Sequence, residues 1–388
     1  VQASSTMAID SLAKQMKADG IDVVGFGAGE PDFNTPDEIK AAGIRAIEEN
    51  NTRYTPASGL PGIKKAVCER VKADFHVEYE PSQVMVAAGA KHCVYVALRA
   101  LVNPGDEVIV PAPYWVSYIE LVRMMGGVPV VVTAEESAGF KITAQQLRDA
   151  ITPKTKAMIL NNPSNPTGMV YNGEELKALV DVCVENDLYI IADEIYSCLL
   201  YDGLKFTSVA SLGEEVKKRT ILINGVSKAY AMTGWRIGYA LAEPEIIKVM
   251  SNYLSHCAGS CCTISQKAAE AALSGSQEKI ETMRQAFEER RNYLVERMNQ
   301  VEGVSCIKPE GAFYVMMNME KLVGRTVHGQ VINTCDDFSQ AFLKYGLVAT
   351  VPGTAFGAPN IVRWSYATSI DNIKKGMDRL EAFLKEFQ

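Results

Sequence analysis

Between residues 84 and 242 one pattern recurs: "VMVAAG", "EVIVP", "VPVVV", "AMILN", "LYIIADE", "TILING" and "IGYAL", short and almost continuously apolar runs set apart by helical segments or loops. A strand with one wet face alternates apolar and polar residues. A run without alternation has both faces covered, as in a largely parallel sheet with helices on both sides. The pattern predicts an α/β core of about seven strands.

After residue 243 the periodicity lengthens. "SQEKIETMRQAFEERRNYLVERMNQV" repeats its apolar positions at helical spacing and predicts one long helix linking two lobes. Beyond it "FYVMMNM", "GLVATVPG" and "NIVRWSYA" read as strands and "NIKKGMDRLEAFLKEF" as a closing helix, so the C-terminal part is expected to be a separate α+β lobe.

With 388 residues, 47% hydrophobic and 22% charged, the chain has apolar surface enough for one large and one smaller domain. A net charge of -7 without clustered Lys and Arg argues against nucleic acid as a partner. No apolar run approaches a bilayer span and no secretory pattern opens the chain, so no membrane partner is expected. The nine cysteines lack framework spacing, which predicts free thiols and a cytoplasmic location. Their one cluster, "HCAGSCCT" (His256, Cys257, Cys261, Cys262), lacks the second ligand pair of a zinc site; small cysteines in a helical stretch usually pack, and no metal is expected.

In open α/β sheets ligands bind beyond the carboxyl ends of the strands. Four segments there carry unusual residues: "AAGAKH", "APYWVSY", "NNPSNPTG" and "ADEIY". A fifth, "VSKAYAMTGWRIGYA", follows the sixth strand. Lys228 in it sits among small and apolar residues, where an ammonium is costly to bury unpaired. Arg236 offers a planar fork for a phosphate, or else a surface ion pair. Gly89, Ala90 and Lys91 end a strand and open a helix, where free N–H groups favour an anion. Asp193 closes an apolar strand and wants a cation if it is desolvated. "GFGAGEP" is a poor dinucleotide loop, because Glu30 replaces its third glycine. A lysine for a Schiff base, a carboxylate for a ring nitrogen, an anion site and an aromatic face are the four requirements of pyridoxal phosphate.

The blocks "NNPSNPTG", "ADEIY" and "SKAYAMTGWRIG", with "GAGEPDF", "GAFYV" and "VRWSYATS" around them, resemble those of the class I aminotransferases, fold type I pyridoxal-phosphate enzymes, over essentially the whole chain. The resemblance implies a large domain, 36–275, with a mixed but mostly parallel seven-stranded sheet. It also implies a smaller α+β domain built from residues 1–35 and 276–388. It makes Lys228 the catalytic residue that bonds the cofactor and shuttles the proton, and gives Asp193 the ring nitrogen. Asn165 and Tyr196 take the phenolic oxygen, Trp115 stacks on the ring, Ala90, Lys91 and Arg236 surround the phosphate, and Gly89 and Ser227 also bind the cofactor. Tyr54 in "NTRYTPASG" matches a tyrosine that reaches the neighbouring subunit's phosphate, implying a homodimer. Arg363, beside Gly29, Trp115 and Asn165, is the counterpart of the residue that binds the substrate α-carboxylate. Cis peptides are expected before Pro113 and Pro166, by resemblance and because both lie in tight loops.

Lys91 and Thr6 resemble residues of the aspartate and prephenate branch that lie near a distal carboxylate; a solvated helix-start lysine is the plainer reading of Lys91. The expected reaction is ping-pong transfer of the amino group of aspartate to 2-oxoglutarate, with amino acids and 2-oxo acids as small-molecule partners. Prephenate carries two carboxylates as well and stays open, as do a broader donor range including alanine and aromatic amino acids, and a carbon–sulfur lyase.

Overall fold

The computed structural model describes residues 5–388. The seven apolar runs are strands β1 (Val84–Ala87), β2 (Glu107–Ala112), β3 (Val128–Thr133), β4 (Thr155–Asn161), β5 (Tyr189–Asp193), β6 (Thr220–Gly225) and β7 (Gly238–Leu241) of one sheet. Their order across it is β1-β7-β6-β5-β4-β2-β3. All are parallel except β7, which runs antiparallel to both β1 and β6. The reversal has a local cause. No α-helix separates β6 from β7, and a parallel return needs a crossover, usually helical.

Although the strands are apolar on both faces, their two-residue period still sorts them. Val108, Val110, Ile221 and Ile223 join one core cluster, Leu222 and Val86 a second, and Ile109 and Met158 a third. Helix Ala90–Leu101 covers the first with Cys93, Val94, Ala97 and Leu98. Helices Asp37–Glu48, Pro61–Phe75 and Thr263–Ser274 pack on the other face.

The C-terminal lobe contains a four-stranded antiparallel sheet of β8 (Ser305–Cys306), β9 (Tyr314–Asn318), β10 (Val351–Pro352) and β11 (Ile361–Ser365), in the order β10-β11-β9-β8. Helices Glu278–Gln300, Cys335–Gly346 and Ile370–Leu384 enclose its core around Trp364, Phe342 and Phe383. The long linking helix and the closing helix are therefore both present. The single strand expected at "GLVATVPG" is two: Val348–Ala349 pairs in parallel with Val24–Gly25, and β10 pairs with β11. The chain switches partners at the buried Thr350, which one apolar run could not disclose. The Val24–Gly25 pairing brings the N-terminal segment onto the C-terminal lobe.

Close backbone approach ties β7 to the turn that follows β1. A Cβ at Gly238 would lie 2.2 Å from the Ala90 amide nitrogen and 2.4 Å from the Gly89 carbonyl carbon. Only glycine allows that contact. Gly238→Ala should lower stability in urea unfolding by roughly 2 to 4 kcal/mol, against under about 0.5 for Gly234→Ala, where an added Cβ meets open space. Equal effects would mean the turn yields freely.

Candidate active site

The carboxyl ends of β1, β2, β4, β5 and β6 meet at one crevice, and the reversed β7 begins there. A cavity of about 400 Å³ occupies it. β6 delivers Ser227 and Lys228 to its floor, and the return to β7 brings Arg236 to the same edge. Asn165 follows β4, Asp193 closes β5 with Tyr196 just beyond, and Trp115 follows β2. Ala90 and Lys91 open the helix after β1. From the C-terminal sheet come Tyr314 and Arg363, on the adjacent strands β9 and β11 and two residues out of register.

Lys228 is part-buried and its Nζ donates to the Gly29 carbonyl. Burial pushes its ammonium down to about 8; Glu30 and Asp193 resist, while Arg236 and Arg363 push further down. Asp193 is 4% exposed. The Tyr118 hydroxyl donates to its Oδ2 at 2.6 Å and the Ile195 N–H to its Oδ1 at 3.3 Å. Burial raises its carboxyl above the usual range, opposed by these two donors and by Lys228. The Tyr196 and Tyr314 hydroxyls share a hydrogen bond of 2.9 Å.

The two arginines are unusual in what they lack. Arg363 is 2% exposed, donates to Asn165 Oδ1 at 2.9 Å and to the Gly27 carbonyl at 2.8 Å, and lies 4.4 Å from the Tyr314 ring centroid. Its Nε has no partner. Arg236, in left-handed backbone conformation at φ 57°, donates only to the carbonyls of Thr233 at 2.9 Å and Ala88 at 3.1 Å. Neither pairs with a carboxylate among the described residues. A buried guanidinium without a counterion is expensive, which marks Arg363 as a candidate anion site; Arg236 is exposed to water, and its fork without a carboxylate is a second candidate beside the amine. Gly89 makes room for the second, since a Cβ there would lie 2.5 Å from Arg236 Nη2.

Residues 21–380 match the family profile described as aminotransferase class I and II. The chain belongs to this aminotransferase family. It is 49% identical over 382 residues to the aspartate aminotransferase of Geobacillus stearothermophilus, covering 98% of this chain and 96% of that one. It is 46% identical over 385 residues to the aspartate/prephenate aminotransferase of Cereibacter sphaeroides, covering 99% and 96%. The crystal structure of the Rhizobium meliloti aspartate aminotransferase superimposes with a TM-score of 0.97 at 39% identity, covering 100% of this chain and 98% of that one.

Most of the residues expected at the site of this aminotransferase meet in the cavity. Gly89 stands behind Arg236, outside the lining. Tyr54 is fully exposed and away from this chain's own cavity. Thr6 falls in helix Ser5–Ala18, and its side chain lies outside the described residues. The peptides before Pro113 and Pro166 are cis, as is that before Pro163. Cys257 ends one helix and Cys262 precedes the next, so the cysteine cluster spans a break rather than a continuous helical stretch. Among the described residues no group of three or more His, Cys, Asp or Glu is placed to hold a metal, and no helix is long and apolar enough to cross a membrane.

Sequence reading missed Tyr118 and Tyr314. Tyr118 stands three positions after Trp115 and meets it edge to face at 5.2 Å; that spacing at a helix start was the available signal. Tyr314 gave none, because its partners Tyr196 and Arg363 are remote in sequence.

The depressed Lys228 has a stability cost. The group goes from its ordinary 10.5 to about 8 on folding, so the unfolded chain binds more protons between those values. The resulting penalty, up to roughly 3 kcal/mol, is full below pH 8 and fades as pH rises towards 10.5. Cofactor-free Lys228→Met should therefore unfold at higher urea than its parent at pH 7, and the gap should close towards pH 10.5. A gap independent of pH would contradict this.

Proposed function

We propose that this aminotransferase uses pyridoxal 5'-phosphate to move the amino group of aspartate to 2-oxoglutarate in ping-pong fashion. The observation that carries the reading is the pair of guanidiniums without carboxylate partners on either side of Lys228. The residues fit the cofactor: a buried carboxylate at Asp193 suits a protonated ring nitrogen, and Arg236 with the Gly89–Ala90 turn suits a phosphate. Asn165 and Tyr196 suit the phenolic oxygen, Trp115 the ring face, and Ser227 the phosphate. When bound, the cofactor supplies an aldehyde for amine exchange and a ring that accepts the electron pair of Cα.

The chain's own residues do the rest. Arg363, steadied by Asn165 and the Gly27 carbonyl, takes the substrate α-carboxylate as a two-point contact and so orients Cα towards Lys228; Gly29 lines the same pocket. Lys228 Nζ must be neutral to remove the Cα proton, and its burial beside two arginines serves that end. Tyr118 holds Asp193 in place and keeps it charged beside the ring nitrogen. Lys91, whose ammonium lies 4.9 Å from the Trp115 ring centroid, faces the substrate's distal carboxylate; Thr6 is its proposed neighbour. The relatives' names support aspartate, and the Cereibacter sphaeroides enzyme's name keeps prephenate as a second substrate.

The full exposure of Tyr54 supports a homodimer in which it reaches the partner's phosphate. We also propose that residues 1–35 and 276–388 form the smaller domain and 36–275 the larger one. Nine cysteines without a disulfide fit a cytoplasmic location.

The protein loaded with pyridoxal phosphate should absorb visible light, lose that absorbance with aspartate and regain it with 2-oxoglutarate. Borohydride should fix the cofactor to the peptide containing Lys228, and Lys228→Ala should cost at least roughly a thousandfold in transamination. Tight NADH binding without a chromophore, or elimination of sulfide from thiol amino acids in place of transfer, would replace this reading. Lys91→Ala should raise the KM for aspartate about tenfold and leave that for alanine nearly unchanged; equal rises would remove the distal-carboxylate role.

A further inference from the structure

The cavity holds two carboxylates, Asp193 and Glu30. Asp193 has a task at the ring nitrogen. Glu30 has none so far, and its negative charge is out of place in a crevice shaped for anions, because it repels phosphate and substrate carboxylates alike. Such a charge is useful only where it stabilises a cation beside it.

The cation it meets is the Lys228 amine. Lys228 Nζ donates to the carbonyl of Gly29, in the peptide that leads into Glu30, and Glu30 Oε2 accepts from Thr233 Oγ1 at 2.8 Å. Thr233 belongs to the loop between Lys228 and Arg236, and its carbonyl accepts from Arg236 Nη1 at 2.9 Å. One loop therefore carries the amine, a guanidinium and the hydroxyl that pins the carboxylate near them. The other charged groups of the cavity are Asp193 at the end of β5, Arg363 from β11, Lys91 from the helix after β1 and Lys14 from helix Ser5–Ala18. The hydroxyls of Tyr118, Tyr196 and Tyr314 also lie there, tied to Asp193 and to each other. By sign of charge, only the two carboxylates favour a proton on Lys228. Burial lowers the amine to about 8, and Glu30 is the strongest influence opposing it.

A group that takes a proton and later returns it works best when it holds that proton neither too weakly nor too firmly at the working pH. We propose that Glu30 is a positioning residue for proton transfer: pinned by Thr233, its carboxylate opposes the two guanidiniums for the proton on Lys228, so that one amine can both take the Cα proton and give it back. This rests on the reading of Lys228 as the proton carrier given above.

Competitive labelling with acetic anhydride, read by mass spectrometry on the peptide containing Lys228, follows the amine in the cofactor-free full-length chain. Glu30→Gln keeps an acceptor for Thr233 and removes the charge. The pH midpoint of labelling, near 8 in the parent, should fall by about half to one pH unit, a modest change because Glu30 is exposed to water. Below the midpoint the reactive fraction should rise roughly three- to tenfold. Thr233→Val keeps the charge but releases it, and should move the midpoint the same way by less. Glu30→Asp should recover part of the change, and added salt should narrow the gap between parent and Glu30→Gln. In the cofactor-loaded enzyme the acid limb of kcat/KM for aspartate should move to lower pH with Glu30→Gln. A Glu30→Gln midpoint that stays at the parent's value, or rises, overturns the proposal. Labelling needs neither cofactor nor turnover, so a chain that responds as expected yet transfers no amino group would overturn the aminotransfer reading and leave the coupling of Glu30 to Lys228 standing.

Discussion

One strand direction governs the site. Had the chain returned from β6 through a helical crossover, as after β4 and β5, Arg236 would have emerged at the opposite edge of the sheet from Lys228. Because β7 runs antiparallel, both ends of the loop between them stay at the ligand edge. The reversed strand also fits between β1 and β6, and its first residue, Gly238, lies against the turn at Gly89 and Ala90. A single short connection thus brings a part-buried amine, a guanidinium and a helix N-terminus to within one crevice.

The crevice is held in an electrostatically unfavourable condition by the rest of the fold. Arg363 is walled by Tyr314 and Phe356, 4.4 and 4.9 Å from their ring centroids, and meets only neutral acceptors. Asp193 is buried with one hydroxyl and one amide donor. Each group would be better satisfied in water. Large apolar cores on both sides of the sheet and in the C-terminal lobe keep them in place, and ligand charges relieve what the protein leaves uncompensated.

Much of this was legible in the sequence. The strands announce themselves as apolar runs, and the residues of covalent and anion chemistry are conspicuous because Lys, Asp and Arg are out of place at the ends of such runs. Strand direction was less visible, since an apolar run reads alike in either sense. Thr350 hid a change of sheet because both flanking pairs of residues are apolar. Tyr118 and Tyr314 act through hydrogen bonds to residues 75 and 118 positions away, and no local pattern encodes a partner so remote.

The segment from Gly27 to Thr35 is a strap fastened on both sides of the crevice. Gly27 accepts from Arg363 and Gly29 from Lys228. Further along, Glu30 accepts a hydrogen bond from the Thr233 hydroxyl and Thr35 Oγ1 donates to the Ala231 carbonyl at 2.7 Å. An ammonium grips a carbonyl more firmly than a neutral amine does. The proton on Lys228 therefore has a mechanical consequence as well as an electrostatic one: with it the strap is held firmly at Gly29, and without it that fastening weakens.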